Sequence, residues 1–244
     1  MLFPNLSQRA QIPELMDNPA CNEEELLKTV RHFSLLNRLV SRYRPVLSRW
    51  ILKDMLAQPD RSYRVADLGA GGCDIAVWLL RSSREIGLDV SVLAVESNAR
   101  IADYARRTHG NTPGLKVTCQ DATDLDALGD VDYIIGNHFL HHLADQDIAK
   151  LLQRATTMRL RRFVFIDLCR NYRAYYLHSI LAALLFPLTF VGPDGRRSIR
   201  RGFRLRELTT LLAQANILDR VELHRMIPAR VILVGGGTPA APAS

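Results

Sequence analysis

Cysteine is sparse in this chain. Cys21, Cys73, Cys119 and Cys169 lie far apart among 244 residues, with no C-x-x-C spacing. That excludes a disulfide framework and a zinc site of the usual pattern, and predicts reduced thiols in a cytoplasmic protein. A long apolar run is also lacking. The strongly apolar stretch 171–191 is interrupted by His178 and Pro187, so no transmembrane span is expected. The opening Met1-Leu2-Phe3-Pro4-Asn5 has no basic region followed by an apolar core, and no signal peptide is predicted. Internal repeats are absent. What remains is ordinary globular composition, 48% hydrophobic and 23% charged, enough for one well-cored domain with an elaboration. The net charge of +7 permits an anionic partner, nucleic acid or a membrane surface, without demanding one.

A third glycine is missing where it matters most. Val65-Ala66-Asp67-Leu68-Gly69-Ala70-Gly71-Gly72-Cys73-Asp74 reads as a buried strand, a glycine-rich turn and a helix start, the usual cradle for a nucleotide-like ligand. A dinucleotide fingerprint requires G-x-G-x-x-G, but Asp74 follows Gly69-x-Gly71. A pyrophosphate beside that carboxylate would be repelled. An acid on the strand, an acid after the turn and few cations suit a ligand without phosphates.

Elements alternate regularly around this turn. Residues 1–22 are turn-rich and irregular. Asn22-Glu23-Glu24-Glu25 starts a helical region that runs to about residue 57, with Pro45 expected to split it. Strands are predicted at 63–68, 90–95, 115–119, 131–136 and 162–167, with helices at about 74–86, 98–108 and 144–158. A helix over 205–215 and a hairpin of strands 218–226 and 229–234 close the chain. Ligands of such sheets bind beyond the carboxyl ends of the strands. The residues there are Glu96 and Ser97 after the second strand, Asp121-Ala122 after the third, and Asn137-His138 after the fourth. A carboxylate at Glu96 can accept both hydroxyls of a ribose.

These residues together resemble class I S-adenosylmethionine-dependent methyltransferases over roughly residues 60–170. The turn is similar to their D-x-G-x-G-x-G signature, with Cys73 in place of the last glycine. The resemblance implies an α/β fold: a Rossmann-like, doubly wound, seven-stranded sheet with an antiparallel last strand, N-terminal helices and a lid insert after the fifth strand. It implies S-adenosyl-L-methionine as cofactor, held by Asp67, Gly69, Ala70, Gly71, Asp74, Glu96, Ser97, Asp121, Ala122, Asn137 and His138. Asp121 would face the adenine amino group, and Asn137 and His138 the sulfonium. Asp74 and the 137–143 segment also resemble the ubiquinone/menaquinone methyltransferases. Pro13-Glu14-Leu15-Met16-Asp17 with Leu36-Asn37-Arg38-Leu39 resembles the opening of a subgroup associated with secondary metabolism and polyketides. The implied organisation is a helical cap (1–60), a cofactor-binding domain (61–236) with a substrate lid (168–204), and a disordered tail (237–244).

The substrate is read from two further features. If a helix begins near His138, then His138, His141 and His142 share one face. His138 and His141 are candidate general bases for a phenol or enol, and packing at a helix start is the other reading. A metal site is not expected, since no third ligand has fitting spacing. The insert has an apolar first half and an arginine-rich second half, which predicts a hydrophobic or aromatic acceptor held by His142, Tyr172, Tyr175, Tyr176 and Arg200. The expected reaction is O-methylation of a polyketide- or quinol-like molecule. Carbon methylation of a quinol ring, peripheral membrane contact and a nucleic-acid substrate are the alternatives. Nucleic acid is disfavoured because Gly136-Asn137-His138-Phe139 lacks the prolines usual in base-amino methylation.

Overall fold

A computed structural model describes residues 4–187 and 189–237 of the chain. The predicted disordered tail lies almost wholly outside the described residues. Seven strands form one sheet: β1 (Tyr63–Leu68), β2 (Val90–Glu96), β3 (Leu115–Cys119), β4 (Tyr133–Asn137), β5 (Arg162–Leu168), β6 (Val221–Met226) and β7 (Arg230–Gly235). Their order is β3-β2-β1-β4-β5-β7-β6. β1 to β5 pair in parallel, and β7 runs antiparallel to both β5 and β6. This is the seven-stranded Rossmann-like sheet expected from the sequence.

The central strands are buried on both faces, so they read as near-continuous apolar runs. Side chains alternate between two cores. Ala66, Leu68, Ile134, Phe163 and Phe165 point to one, shared with α6 (Asp145–Thr157) and α9 (Leu205–Gln214). Tyr63, Val65, Tyr133, Ile135 and Val164 point to the other, shared with α2 (Tyr43–Leu47) and α4 (Asp74–Glu85). Each fully buried large side chain contributes about 1.5–3 kcal/mol.

Around the sheet, α1 (Glu23–Leu36) begins as predicted, with the Asn22 side chain accepting from the Glu25 amide. α1 packs through Leu26 and Val30 on Ile101 of α5 (Ala99–His109). The break in the N-terminal helices falls at Arg42, in the left-handed region at φ 57°, and not at Pro45. Pro45 sits in the first turn of α2, where its missing N–H had no partner to lose. Wide turns and a short α3 (Lys53–Met55) lead to β1. β4 and β6 start two and three residues later than predicted, because Asp132 is used to accept the Arg64 amide and Leu218 stays exposed. The excursion after β5 forms two helices, α7 (Tyr172–Leu185) and α8 (Val191–Arg201). No helix among the described residues is long and apolar enough to cross a membrane.

Gly136 fixes how tightly β4 and β5 meet. A Cβ there would stand 2.8 Å from Phe165 Cδ1 and 2.9 Å from Cε1. Gly136→Ala should therefore lower stability by about 1–3 kcal/mol through overpacking. Thermal unfolding should register this as a loss of about 2–4 °C per kcal/mol, and an unchanged melting temperature would contradict the packing described.

Candidate functional site

The glycine turn between β1 and α4 is shaped by close approach. Gly69 has φ 66°, and a Cβ on it would lie 2.8 Å from Phe139 Cδ2. Gly71 has φ 52° with open space where its Cβ would be. Cys73, where the resemblance expects glycine, also adopts a left-handed conformation at φ 63° and is fully buried. Burial and the surrounding acids push its thiol up, so it is inert as a nucleophile. The Gly71 amide donates to Glu96 Oε2 at 2.9 Å and the Asn98 amide to Oε1 at 2.9 Å, which locks β2's last residue to the turn.

Three acids crowd this turn. Asp67 is 2% exposed, and its Oδ2 is buried without a hydrogen-bond partner. Burial, then the charges of Asp74 and Glu96, push its carboxyl well up. Burial raises Asp74 to about 6 despite hydrogen bonds from Asn37 and Ser34. Burial also raises Glu96, against three backbone donors. None of the three forms an ion pair with a lysine or arginine among the described residues. An uncompensated acidic pocket of this kind favours a ligand with positive charge and hydrogen-bond donors. Together with Gly69, Ala70, Gly71, Ser97, Asp121, Ala122, Asn137 and His138, the acids line one cavity of about 430 Å³. The structure thus gathers every residue predicted for the cofactor. Asp121 is exposed at the rim and accepts from the Thr123 amide and hydroxyl.

The histidines do not share a helical face. His138 is in the left-handed region at φ 56°, and only Leu140–His142 form a short helical turn. The His138 amide is tied to the Ile166 carbonyl at 2.8 Å, and its Nε2 is buried without a partner. Burial, then Arg230, holds its ring well below the usual histidine range, so it is neutral. His141 is the opposite. Its Nδ1 lies 2.7 Å from Asp167 Oδ1, and its Nε2 lies 3.6 Å from Glu14 Oε1. Burial lowers the ring, but these carboxylates outweigh it and raise His141 to about 9. Glu14 is brought to about 2 by His141 and His142 against its own burial. The His142 ring lies 4.3 Å from that of His141, tilted by 37°, and burial followed by that neighbour's charge lowers it to about 4. Glu14, His141 and His142 also bring three ligand atoms within 4.8 Å of one another, a group that could hold a divalent cation.

Glu14 belongs to a strap that composition did not reveal. Residues 4–22 have little regular structure but are bound along their length. Arg9 donates to the His141, Leu143 and Arg201 carbonyls. The Leu15 and Met16 amides donate to Asp194, and Ser198 donates to Glu14. Glu14, Met16 and Asp17 from the strap, Phe33, Ser34 and Asn37 from α1 and the turn after it, and Ser198 and Arg201 from α8 all line the cavity. The signal available was the 13–17 and 36–39 resemblance, which pointed to the region and not to the contacts.

A second cavity, of about 900 Å³, adjoins the first and shares Phe33, Asn37, His138 and Ser198 with it. Its α7 wall is Arg173, Ala174, Leu177, His178, Leu181 and Ala182. Tyr172, Tyr175, Tyr176 and Arg200, predicted at the acceptor, line neither cavity, and His142 lines the first. Tyr172 and Tyr176 are largely exposed, and Tyr175 packs on Leu6, Leu168 and Ile199. Helical phase explains this: α7 buries Tyr175 and Ala182, leaves Tyr172, Tyr176 and Ile180 outside both cavities, and lets Arg173, Leu177 and Leu181 line the second cavity while staying exposed.

The buried His141 pairing sets a pH limit on the site. A histidine raised to about 9 when folded, against about 6.5 when unfolded, stabilises fully below about 6.5 and loses that contribution as pH rises through about 9. The gap in melting temperature between the native protein and His141→Gln should therefore shrink from pH 6.5 to 9. A constant gap would mean that the ring is neutral.

Comparison with known proteins fits this geometry. Residues 65–159 match the profile of a methyltransferase domain. No curated protein sequence matches the chain. Among solved structures, the CurJ carbon methyltransferase superposes at TM-score 0.60 and 14% identity, covering 87% of this chain and 58% of that one. Human N-acetylserotonin methyltransferase in complex with S-adenosylmethionine gives 0.57 and 18%, covering 89% and 57%. An O-methyltransferase-like protein of Nostoc punctiforme gives 0.50 and 16%, covering 75% and 54%. The chain thus spans somewhat more than half the length of these structures. It has the Rossmann-like fold of these structures, and residues 65–159 within it are similar to a methyltransferase domain.

Proposed function

We propose that the protein transfers a methyl group from S-adenosyl-L-methionine to a small hydrophobic or aromatic acceptor, at a phenol or enol oxygen of a polyketide- or quinol-like molecule. The observation that carries this reading is the trio of Asp67, Asp74 and Glu96, crowded round a glycine turn and, among the described residues, ion-paired with no lysine or arginine. Asp67 Oδ2 has no partner until a donor arrives. Gly69 and Gly71 leave the backbone bare. When bound, the cofactor supplies an electrophilic methyl group on a sulfonium. Glu96 keeps lone pairs for ribose hydroxyls beyond its backbone amide bonds, Asp121 stands at the rim for the adenine amino group, and Asn137 and His138 flank the methionine end.

The second cavity is the acceptor chamber in this reading. It meets the first at His138, whose unpartnered Nε2 can accept a hydrogen bond from the acceptor hydroxyl, and an acidic phenol or enol needs no stronger base. His141, already protonated between Asp167 and Glu14, is a positioning residue and not a base. Residues 1–60 act as the cap and 168–204 as the acceptor-side lid of a domain spanning 61–236, and together they exclude water. Four unpaired thiols suit a reducing, cytoplasmic setting. Carbon methylation uses the same chamber and differs only in which acceptor atom faces His138.

Calorimetric titration with S-adenosyl-L-methionine and S-adenosylhomocysteine tests the cofactor. Micromolar binding of both is expected, weakened about 10- to 100-fold by Asp67→Ala or Glu96→Ala. Unaltered affinity in these variants would place the site elsewhere. Because Asp74 titrates near 6 and a cationic ligand prefers its carboxylate, affinity should fall as pH drops through about 6. Asp74→Asn should flatten that fall, and a pH-independent affinity in the native protein would remove Asp74 from the site.

A further inference from the structure

The acceptor chamber has a charge imbalance of its own. Arg170, Arg173, Arg204, Arg206, Arg225 and Arg230 line it, and among the described residues no carboxylate does. Most of these arginines face solvent in part or have protein partners. Arg170 pairs with Glu207 at 2.5 Å, and Arg204 donates to the Leu6 carbonyl. Arg230 is different. It opens β7, paired with Leu168 of β5 and Met226 of β6, and is only 7% exposed. Its Nη1 makes long bonds to the Pro228 and Ala229 carbonyls, at 3.3 and 3.2 Å. Its Nε is buried with no partner, and no carboxylate among the described residues lies within ion-pair distance. The nearest acid that it feels is Asp167, whose oxygens are taken by His141 and the Leu168 amide. Burial lowers the guanidinium to about 10, so it stays charged at neutral pH.

A buried charge without a partner is unfavourable. It persists where a ligand supplies the counter-charge. Resting on the methyl-transfer reading above, we infer that Arg230 anchors a carboxylate on the acceptor, so that the substrate is an apolar or aromatic hydroxy acid. A guanidinium presents a planar fork that matches a carboxylate's two oxygens. Arg230 and His138 line the same chamber, and His138 stands where the two cavities meet. An acid whose carboxylate sits on the same ring as its hydroxyl, such as an ortho-hydroxy aromatic acid, is the acceptor class in this inference. The apolar body lies along Leu177, Leu181 and Phe186, which line the same chamber. A neutral analogue leaves the guanidinium unpaired and is discriminated against on that ground.

The test uses 1-hydroxy-2-naphthoate and its neutral amide, titrated into the full-length protein with and without S-adenosylhomocysteine. The acid should bind at least tenfold more tightly than the amide. Arg230→Gln should abolish that preference by weakening the acid about 10- to 100-fold, while the amide and S-adenosylhomocysteine keep their affinities. Arg230→Lys, which retains the charge and loses the fork, should fall between. Equal affinity of acid and amide for the native protein, including failure of both to bind, would overturn the inference. So would an Arg230→Gln variant that binds the acid undiminished. Failure of the cofactor reading is visible separately, as absent S-adenosylhomocysteine binding in the same titrations.

Discussion

A buried imidazolium holds the site together. His141 takes Asp167 on Nδ1 and, through its amide, on the second oxygen of the same carboxylate. Glu14 faces its other nitrogen and accepts from Ser198. The His141 carbonyl receives Arg201 and Arg9. One residue thereby joins the end of β5, the turn after β4, the N-terminal strap and α8. Each carboxylate alone at that depth would be costly. The shared proton makes the arrangement favourable and leaves the strap closed over the glycine turn.

Two cavities of opposite electrostatic character meet beside that pairing. On the glycine-turn side, Asp67, Asp74 and Glu96 form no ion pair with a lysine or arginine among the described residues, and the Arg201 of that wall pairs with Asp17. On the β7 side, Arg230 has no anion. His138 and Asn37 stand at the boundary. A positively charged methyl donor and a negatively charged acceptor would each neutralise one side, and their charges would draw the reacting atoms together. Positioning of this kind, with water excluded by strap and helices, supplies most of what methyl transfer requires of a protein.

The sheet was legible because its strands are buried on both faces and alternate with helices of strong period. The lining of the glycine-turn cavity was legible because its residues follow strand ends in order. That of the second cavity was not. Residue type points to Tyr172 and Tyr176, but the phase of α7 leaves them outside both cavities and sets Arg173, Leu177 and His178 along the second one. Arg230 sits at a strand start, where sequence gives no hint that its charge is enclosed. Glu14 lies in a turn-rich stretch without periodicity, more than 120 residues from the histidine that it pairs with. A helix beginning near His138 is one reading of the 138–142 spacing, and only the contact with β5 reveals the left-handed conformation of His138. Contacts that join distant segments leave no local pattern.

The most direct measurement is a crystal structure of the protein soaked with S-adenosylhomocysteine. Ribose hydroxyls on Glu96, with the amino-acid end beside Asp67 and Asp74, are the expected result. A molecule bound away from the glycine turn, or with its ribose out of reach of Glu96, would contradict the assignment of this pocket to the methyl donor.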